Sequence, residues 1–333
     1  MSEARRLYFT SPCEIDIRRV TLEEPEPEDV VVETVESGIS PGSELLVYRG
    51  EFPEETPVDA TIDSLSGSFE YPLPYGYAAV GTVVDLGRDV SDEWLGRTVF
   101  AFEPHADRFA TAAESLVPLR EGIAPTEATL LPSVETATNL VLDAQPRVGE
   151  RVVVFGAGVV GLCTVHVLSQ FPLAELTVVE PVAERRTLAE QFGADRTVTP
   201  ETIEDGDGPR DADLVYELSG RPATLDSAIE AVGYDGRVVV GSWYGRKRAP
   251  LDLGGSFHRD RVTLESSQVS TIDPALRGRW DRERRFDVAF DQLQTLDTDR
   301  LCGETFAFDA AADAYRTLDS GSTASPHVTL SYQ

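Results

Sequence analysis

Three glycines, spaced two and three residues apart, follow a short apolar run near the middle of the chain. They are Gly156, Gly158 and Gly161, with Val159 and Val160 between the last two, directly after VVVF and before an apolar segment with helical character. The first glycine permits a tight turn, the second admits a phosphate group close to the backbone, and the third lets helix and strand pack closely. Because strand, glycines and helix agree, the motif predicts a dinucleotide site.

An acidic residue stands where the next predicted strand ends. Glu180 closes the run ELTVVE, 24 residues after Gly156. A carboxylate at this place binds the adenosine ribose hydroxyls and repels a 2′-phosphate, which favours NAD(H) over NADP(H). Arg185 and Arg186 follow within a turn of the next helix and act in the opposite sense, so NADP(H) stays open.

Two further strand ends are candidates for the same crevice. Ser219 follows the run LVYEL, and Gly241 follows RVVV. Open α/β sheets place ligands at the carboxyl ends of their strands, so both residues are candidate cofactor contacts. Ordinary turn chemistry accounts for them equally well, and both interpretations stay open.

Alternating strand and helix signals must position these residues. We predict buried strands in GERVVVF, ELTVVEP, DADLVYEL and GRVVVG, with helices in the segments between them. Such alternation predicts a parallel sheet with helices on both faces. Before about Thr126 the chain has short β-branched runs bounded by turn residues, which are typical of antiparallel strands. After about Gln268 we predict two helices and a final strand, PHVTLSY.

The charge of the chain is strongly negative and its basic residues are almost all arginine. Its 333 residues carry a formal net charge of −29, and Lys247 is the only lysine. Nucleic acid is excluded as a partner, because neutralising phosphates needs clustered Lys and Arg. Acidity spread along the whole chain resembles proteins of salt-loving archaea. Self-repulsion at this charge predicts that molar salt stabilises the fold, since it shortens the Debye length to ~3 Å.

Membrane and secretory signals are absent from the sequence. No run approaches the ~18 apolar residues of a spanning helix. The first residues contain no apolar core of a signal peptide, and the three cysteines, Cys13, Cys163 and Cys302, lie far apart. We therefore expect a cytoplasmic protein with free thiols.

The order of these parts resembles the medium-chain dehydrogenase/reductase superfamily, the zinc alcohol dehydrogenases and quinone reductases. The resemblance covers nearly the whole chain, with matching signals at SGISPGSELLVYRG, PYGYAAVGTVVDLG, GRTVFAF and GERVVVFGAGVVGL. It implies an α/β fold in two parts. Residues 1–124 together with 270–333 would form a GroES-like β-rich catalytic domain, and residues 125–269 a Rossmann doubly wound parallel-sheet domain. The active site would lie in the cleft against the Rossmann domain.

Two ligands of the catalytic zinc of that superfamily are missing. The first is the cysteine of a G-I-C-G-[ST]-D pattern, but residues 38–44 read GISPGSE, one residue longer, with Ser40 and Pro41 where the cysteine falls. The second is the histidine of G-H-E, and here the triplet is GYA with Tyr77 at its centre. We therefore predict no metal.

The remaining metal donors offer only an atypical site. The third ligand of the family falls on Ser133 or Glu135, and an atypical site from His105, Glu44 and Glu135 is the remaining alternative. The structural-zinc lobe, four closely spaced cysteines, is also absent. Tetrahedral zinc needs three or four converging donors.

Without zinc, positioned hydrogen-bond donors must polarise a substrate carbonyl. The resemblance implies that Ser43 stands at the proton-relay position, that Tyr77 replaces the ligand histidine, and that Thr138 lies beside the nicotinamide ring. His105, the only histidine before the Rossmann segment, is a third catalytic candidate. For Tyr77 the alternative is a ring that fills the vacated metal pocket, and for Thr138 it is helix packing.

These observations predict a zinc-independent oxidoreductase that transfers hydride between NAD(P)(H) and a small alcohol or carbonyl substrate. Reduction of a quinone or of an enone C=C bond is one alternative, and a catalytically inactive nucleotide-binding sensor is another. The resemblance also implies a homodimer or homotetramer.

Overall fold

The computed structural model of the protein describes residues 2–53, 56–58, 62–65, 67–323 and 325–333. The strands within them are β1 (Ser2–Ser11), β2 (Glu14–Leu22), β3 (Asp29–Ile39), β4 (Ala79–Leu86), β5 (Thr98–Ala101), β6 (Arg108–Ala112), β7 (Val117–Pro118), β8 (Arg151–Phe155), β9 (Glu175–Val179), β10 (Arg196–Val198), β11 (Ala212–Glu217), β12 (Val232–Val240), β13 (Thr263–Ser266), β14 (Cys302–Ala307) and β15 (His327–Ser331).

The helices in the same ranges are α1 (Pro41–Arg49), α2 (Pro125–Ala128), α3 (Leu131–Ala144), α4 (Val159–Leu168), α5 (Ala183–Gln191), α6 (Pro200–Glu204), α7 (Thr224–Ala231), α8 (Ser256–Arg259), α9 (Arg282–Thr295) and α10 (Ala311–Ser320). None of these helices combines the length and the apolarity that a lipid bilayer crossing requires. The chain divides into two compact units. Unit 1 comprises Met1–Leu131 and Leu301–Gln333, and unit 2 comprises Pro132–Arg300.

Unit 1 is built around a mostly antiparallel sheet with the order β14-β15-β3-β4-β5-β7, in which β6 also pairs with β3. Only the β14–β15 pair is parallel. The central strand β3 has the sequence DVVVETVESGI and is buried on both faces over much of its length. Its β-branched residues suit such a strand. The carboxyl end of β3 leads directly into α1, which carries several of the candidate residues.

Unit 2 contains a six-stranded, fully parallel sheet with the order β10-β9-β8-β11-β12-β13. Numbered from the first strand of the unit, this is the order 3-2-1-4-5-6 of the Rossmann fold. The apolar runs of β8 and β9 are buried on both faces, as strands covered by helices must be. The predicted doubly wound parallel sheet is confirmed. Its order reverses between β8 and β11, where such sheets bind their ligands.

The boundaries between the two units differ from the predicted domain boundaries at both places where the chain passes from one unit to the other. It falls after residue 131 rather than 124, and after residue 300 rather than 269. The segment 270–300 belongs to unit 2 because α9 buries Phe286, Ala289 and Phe290 there. Arg285 of α9 also makes a buried ion pair with Glu135 of α3. A helix was predicted in this segment, but the surface against which it packs depends on tertiary structure.

Candidate functional site

The glycine loop after β8 begins with a residue in the left-handed region. Gly156 has a φ angle of +99°, and its N–H donates to the carbonyl oxygen of Val179 at 2.9 Å. A Cβ atom added to Gly156 would lie 2.8 Å from the carbonyl oxygen of Leu218. Both the backbone angle and the close approach therefore require glycine at this turn.

Gly158 and Gly161 differ in what lies beside them. Gly158 is the N-cap of α4, and a Cβ atom added there would meet nothing within 4 Å. A Cβ atom added to Gly161 would overlap the carbonyl oxygen of Gly156. The first turn of α4, with Val159 and Val160, carries N–H groups that have no acceptor within the helix. The open space above Gly158 and the positive helix end fit the pyrophosphate of a dinucleotide.

Glu180 follows β9 and is only 4% exposed. Its Oε2 accepts a hydrogen bond from the N–H of Ala157 at 2.8 Å, and its Oε1 accepts one from the N–H of Val182 at 3.0 Å. The carboxylate is therefore fixed beside the glycine loop. Each oxygen keeps a second lone pair, which leaves acceptors for ribose hydroxyls.

The two arginines after Glu180 have different surroundings. Nη1 of Arg186 donates to the carbonyl oxygens of Glu180 and Pro181, both at 2.8 Å. Arg185 is half-buried, and its Nε has no hydrogen-bond partner in the described part of the chain. Arg186 is thus occupied by the backbone, whereas Arg185 retains a donor for a further acceptor.

Glu217, the last residue of β11, is a candidate site residue that sequence reasoning missed. Its side chain is fully buried. Oε1 accepts hydrogen bonds from the N–H of Ser219 at 2.9 Å and from the Ser219 hydroxyl, while Oε2 accepts one from the Tyr244 hydroxyl at 2.5 Å. Burial and the Glu217 carboxylate both raise the pKa of Tyr244. An acidic residue ending an apolar strand was the available sequence signal.

The ends of β11 and β12 lie beside the glycine loop. A Cβ atom added to Gly241 would lie 2.6 Å from Cδ2 of Leu218, the residue whose carbonyl oxygen approaches Gly156. The N–H of Gly220 donates to the Ser242 hydroxyl at 2.9 Å, and Lys247 Nζ donates to the carbonyl oxygen of Gly220 at 3.2 Å. This edge of the sheet therefore combines the predicted cofactor contacts with turn-forming hydrogen bonds.

Helix α3 carries two candidates whose side chains already have partners. Thr138 is buried, and its hydroxyl donates to the carbonyl oxygen of Val134 at 2.9 Å. Glu135 accepts hydrogen bonds from Nη2 of Arg285 at 2.7 Å and from its Nε at 3.1 Å. Burial raises the pKa of Glu135, whereas Arg285 lowers it. Glu135 is thus paired with a guanidinium.

In unit 1, Tyr77 lies within hydrogen-bond distance of Ser40. The Tyr77 hydroxyl donates to Oγ of Ser40 at 2.6 Å, and both residues are half-buried. The Tyr77 ring also packs against the apolar core of the unit and contacts Tyr75 edge-on at 6.1 Å between ring centroids. The positions that replace the first two zinc ligands of the resembled superfamily are therefore hydrogen-bonded to each other.

Ser43, the predicted relay residue, lies in the first turn of α1 and is half-buried. Its N–H donates to the carbonyl oxygen of Ser40 at 3.2 Å. The hydroxyl that contacts Tyr77 belongs to Ser40, the N-cap of the helix, and Ser43 stays a prediction.

Glu44 and His105 form a fully buried pair. Nε2 of His105 lies 3.0 Å from Oε2 of Glu44, and both side chains have no exposed surface. Nδ1 of His105 lies 2.7 Å from the Ser37 hydroxyl. Glu44 Oε1 also accepts a hydrogen bond from the N–H of Ser40 at 2.7 Å. The expectation that His105 reaches a substrate must be corrected, because its ring is enclosed and both ring nitrogens are bonded.

The described residues do not fit a zinc site. They contain no group of three or more His, Cys, Asp or Glu side chains arranged to hold a metal ion. In the atypical set, His105 and Glu44 bond to each other, and Glu135 bonds to Arg285. Tetrahedral zinc requires at least three converging donors.

Comparisons with known proteins point to one enzyme class. Residues 159–282 match the family model described as zinc-binding dehydrogenase. The D-guloside 3-dehydrogenase of Escherichia coli K12 is 25% identical over 281 residues, which cover 80% of this chain and 79% of that protein. The L-threonine 3-dehydrogenase of Pyrococcus furiosus is 35% identical over 208 residues, which cover 54% of this chain and 58% of that protein.

The whole chain also resembles solved structures. One of them is the short chain alcohol dehydrogenase (rspB) of E. coli CFT073, complexed with cofactor NADH. It superposes on this chain with a TM-score of 0.79 at 19% sequence identity, and the alignment covers 100% of each chain. This likeness confirms the predicted fold class, a GroES-like domain with a Rossmann domain. The family match and the relatives support an NAD(P)-dependent oxidoreductase of the alcohol and sugar dehydrogenase type.

Proposed function

We propose that this protein is a zinc-independent dehydrogenase that transfers hydride between NAD(H) and a small alcohol or carbonyl substrate. The observation that carries the proposal is the hydrogen bond between Tyr77 and Ser40, which stands where the resembled superfamily places zinc ligands. In this bond the Tyr77 phenol is the donor, and the same O–H, turned to a substrate oxygen, can polarise a carbonyl without metal.

In this proposal each residue of the candidate site has its own role. During reduction the Tyr77 O–H turns from Ser40 to the substrate oxygen and gives it the proton, while the Ser40 hydroxyl passes its own proton to the Tyr77 oxygen. Ser40 is half-buried and regains a proton from water. During oxidation the same protons move in the reverse direction. The first turn of α4 and Gly158 hold the pyrophosphate, and Glu180 holds the adenosine ribose. A bound nicotinamide cofactor supplies or accepts the hydride.

NAD(H) is favoured over NADP(H) because of the position of Glu180. Two backbone N–H groups fix its carboxylate beside the glycine loop, so a 2′-phosphate would meet a negative charge there. Replacing Glu180 by glutamine keeps the size and removes that charge. We expect the ratio of kcat/KM for NADP⁺ to that for NAD⁺ to rise at least about tenfold, which corresponds to ~1.4 kcal/mol. An unchanged ratio would place the cofactor preference elsewhere, with Arg185 the next residue to replace.

Zinc independence is tested on the purified enzyme in molar KCl. We expect substoichiometric zinc by elemental analysis and alcohol-dependent NAD⁺ reduction that persists after dialysis against a chelator. Stoichiometric zinc, with activity lost on chelation and restored by zinc, would refute this part of the proposal.

The role of Tyr77 is tested by Tyr77→Phe, with Tyr234→Phe as a matched control because Tyr234 is exposed and belongs to unit 2. We expect kcat to fall about 10²-fold or more in Tyr77→Phe, since one preorganised donor is worth about that factor, while Tyr234→Phe keeps wild-type kcat. Equal activity of both variants would make Tyr77 a packing residue. NADH oxidation by quinones or enones, without alcohol oxidation, would instead support a C=C or quinone reductase, and tight nucleotide binding with no turnover would support a sensor.

We further propose that the protein acts as a homodimer or homotetramer in the cytoplasm. The edge strand β13 pairs only with β12, and all four of its residues are exposed. Such an edge can pair with another strand. Light scattering in molar KCl tests the oligomeric state, and a monomeric mass would refute it.

A further inference from the structure

Beneath Tyr77 and Ser40 lies a set of buried polar side chains that the proposed reaction does not use. It consists of Glu44, His105, Ser37, Tyr315 and Tyr332, here called the Glu44 network. Glu44 Oε2 accepts hydrogen bonds from Nε2 of His105 and from the Tyr315 hydroxyl. The Ser37 hydroxyl joins Nδ1 of His105 at 2.7 Å to the Tyr332 hydroxyl at 2.9 Å. All five belong to unit 1.

One arrangement of hydrogens satisfies every bond of the network. Burial raises the pKa values of Tyr315 and Tyr332, so both phenols stay protonated. In this arrangement Nε2–H of His105 donates to Oε2 of Glu44, and Nδ1 is the acceptor. The Ser37 hydroxyl donates to Nδ1, and the Tyr332 hydroxyl donates to Ser37. Every hydrogen is used once, and the series of donors ends on Glu44.

The Glu44 network touches both members of the Tyr77–Ser40 pair through the backbone. Glu44 Oε1 accepts the N–H of Ser40 at 2.7 Å, which fixes the residue whose hydroxyl holds the phenol. On the other side, a Cβ atom added to Gly76 would lie 2.5 Å from Cδ2 of His105. The imidazole therefore packs against the residue that precedes Tyr77, and the N–H of His105 donates to the carbonyl oxygen of Tyr75 at 3.3 Å.

We propose that Glu44 and His105 are positioning residues that hold Ser40 and Tyr77 in hydrogen-bonding geometry for the reaction. The inference rests on the proposed function, since it takes Tyr77 as the donor to substrate. Neither Glu44 nor His105 is a catalytic residue, because neither has surface that a substrate could touch. They act on Tyr77 from its two sides, through the backbone of Ser40 and through Gly76.

The kinetic test uses Glu44→Gln, with Glu150→Gln as a matched control. Glu150 is also buried, but it belongs to unit 2 and pairs with Arg237. We expect kcat for alcohol oxidation to fall about 10²-fold in Glu44→Gln, the loss typical of misplacing a reacting group by about 1 Å. KM for NAD⁺ should change less than about twofold, because the cofactor residues lie in the other unit. Glu150→Gln should keep wild-type kcat.

A second measurement tests the Glu44 network by NMR and does not depend on enzyme activity. We expect ¹⁵N NMR to find the ring proton of His105 on Nε2 in the wild type. In Glu44→Gln the amide N–H₂ faces Nε2, so the proton should move to Nδ1. The ring resonance of Tyr77, assigned by its loss in Tyr77→Phe, should shift in Glu44→Gln and stay in place in Glu150→Gln. If Glu44→Gln does not fold, Ser37→Ala should shift the same Tyr77 resonance, because it removes the hydrogen bonds of the Ser37 hydroxyl to Nδ1 of His105 and to the Tyr332 hydroxyl.

The outcomes separate the two proposals. Full activity of Tyr77→Phe overturns the role of Tyr77 in the proposed function, and the positioning role is then decided by the Tyr77 resonance alone. Loss of activity in Tyr77→Phe with kcat of Glu44→Gln within about twofold of wild type overturns only the positioning role. An unmoved Tyr77 resonance, or the same His105 tautomer in wild type and Glu44→Gln, also overturns it.

Discussion

Replacing Arg285 by methionine should strongly destabilise unit 2 at neutral pH. Glu135 and Arg285 are 3% and 2% exposed, and the guanidinium donates two hydrogen bonds to Glu135 and one, at 2.6 Å, to Asn139. Methionine has a similar length, so the cavity that it leaves is small. What remains is a buried carboxylate without its partner, and breaking such a pair costs about 3–5 kcal/mol.

The loss should depend on pH in a defined direction. Burial already raises the pKa of Glu135 and Arg285 opposes the shift, so removal of Arg285 raises the pKa further. A carboxyl group with a raised pKa in the folded state holds its proton more tightly there than in the unfolded chain, where its usual value is 4.5. Stability of Arg285→Met should therefore fall as pH rises above that value, and its deficit relative to wild type should shrink as pH is lowered.

Denaturant unfolding in molar KCl, followed by tryptophan fluorescence, measures this effect in the full chain. Arg261→Met is the matched control, because the Arg261–Asp235 pair is exposed and should cost less than about 1 kcal/mol. The double variant Glu135→Leu with Arg285→Met should recover most of the lost stability, since it leaves no buried charge. A loss below about 1 kcal/mol in the single variant, or a loss that does not change with pH, would refute the reasoning.

Three further predictions concern charge, pH and the glycine loop. The thermal midpoint should rise between low and molar KCl, because screening relieves the repulsion of a net charge of −29; calorimetry at several KCl concentrations measures it, and a flat response would contradict it. Burial raises the pKa of Glu103 to about 7, although Thr111 and Arg6 oppose the shift, so wild-type stability should fall as pH rises from the ordinary carboxyl range through about 7. Glu103→Gln should remove this slope in a series of melting curves, and an unchanged slope would assign it to other groups. Gly161→Ala should weaken NADH binding at least about tenfold by calorimetric titration, since its Cβ overlaps the Gly156 carbonyl oxygen. Gly278→Ala, where a Cβ meets nothing within 4 Å, is the control, and equal affinities would contradict the prediction.

The parallel sheet was predictable because its signals are local. Each predicted strand of the parallel sheet is a short apolar run that is followed by turn residues. The glycines Gly156, Gly158 and Gly161 come directly after the first of these strands, where its helix begins. Side-chain periodicity and turn chemistry need no knowledge of distant residues. Glu180 could be placed for the same reason, since it ends the next strand.

The hydrogen-bond partners of the candidate site were not predictable in the same way. Ser40 and Ser43 are three residues apart, and which hydroxyl meets Tyr77 depends on α1 beginning after Ser40, so that Ser40 is its N-cap. The pairing of Glu44 with His105 joins residues 61 positions apart. The sequence contains many arginines that could pair with Glu44. Only the fold determines that Glu44 accepts hydrogen bonds from a histidine, a tyrosine and a backbone N–H instead.

The single lysine gives the protein an unusual property as a reagent target. Lys247 donates to the carbonyl oxygen of Gly220, at the strand edge that carries the glycine loop, and every other basic side chain apart from the histidines is an arginine. Amine-selective labels react with lysine and spare arginine. One fluorophore or crosslinker would therefore attach to a single side chain, next to the proposed dinucleotide site. Protection of that side chain by added cofactor would report occupancy of the site without mutating the protein.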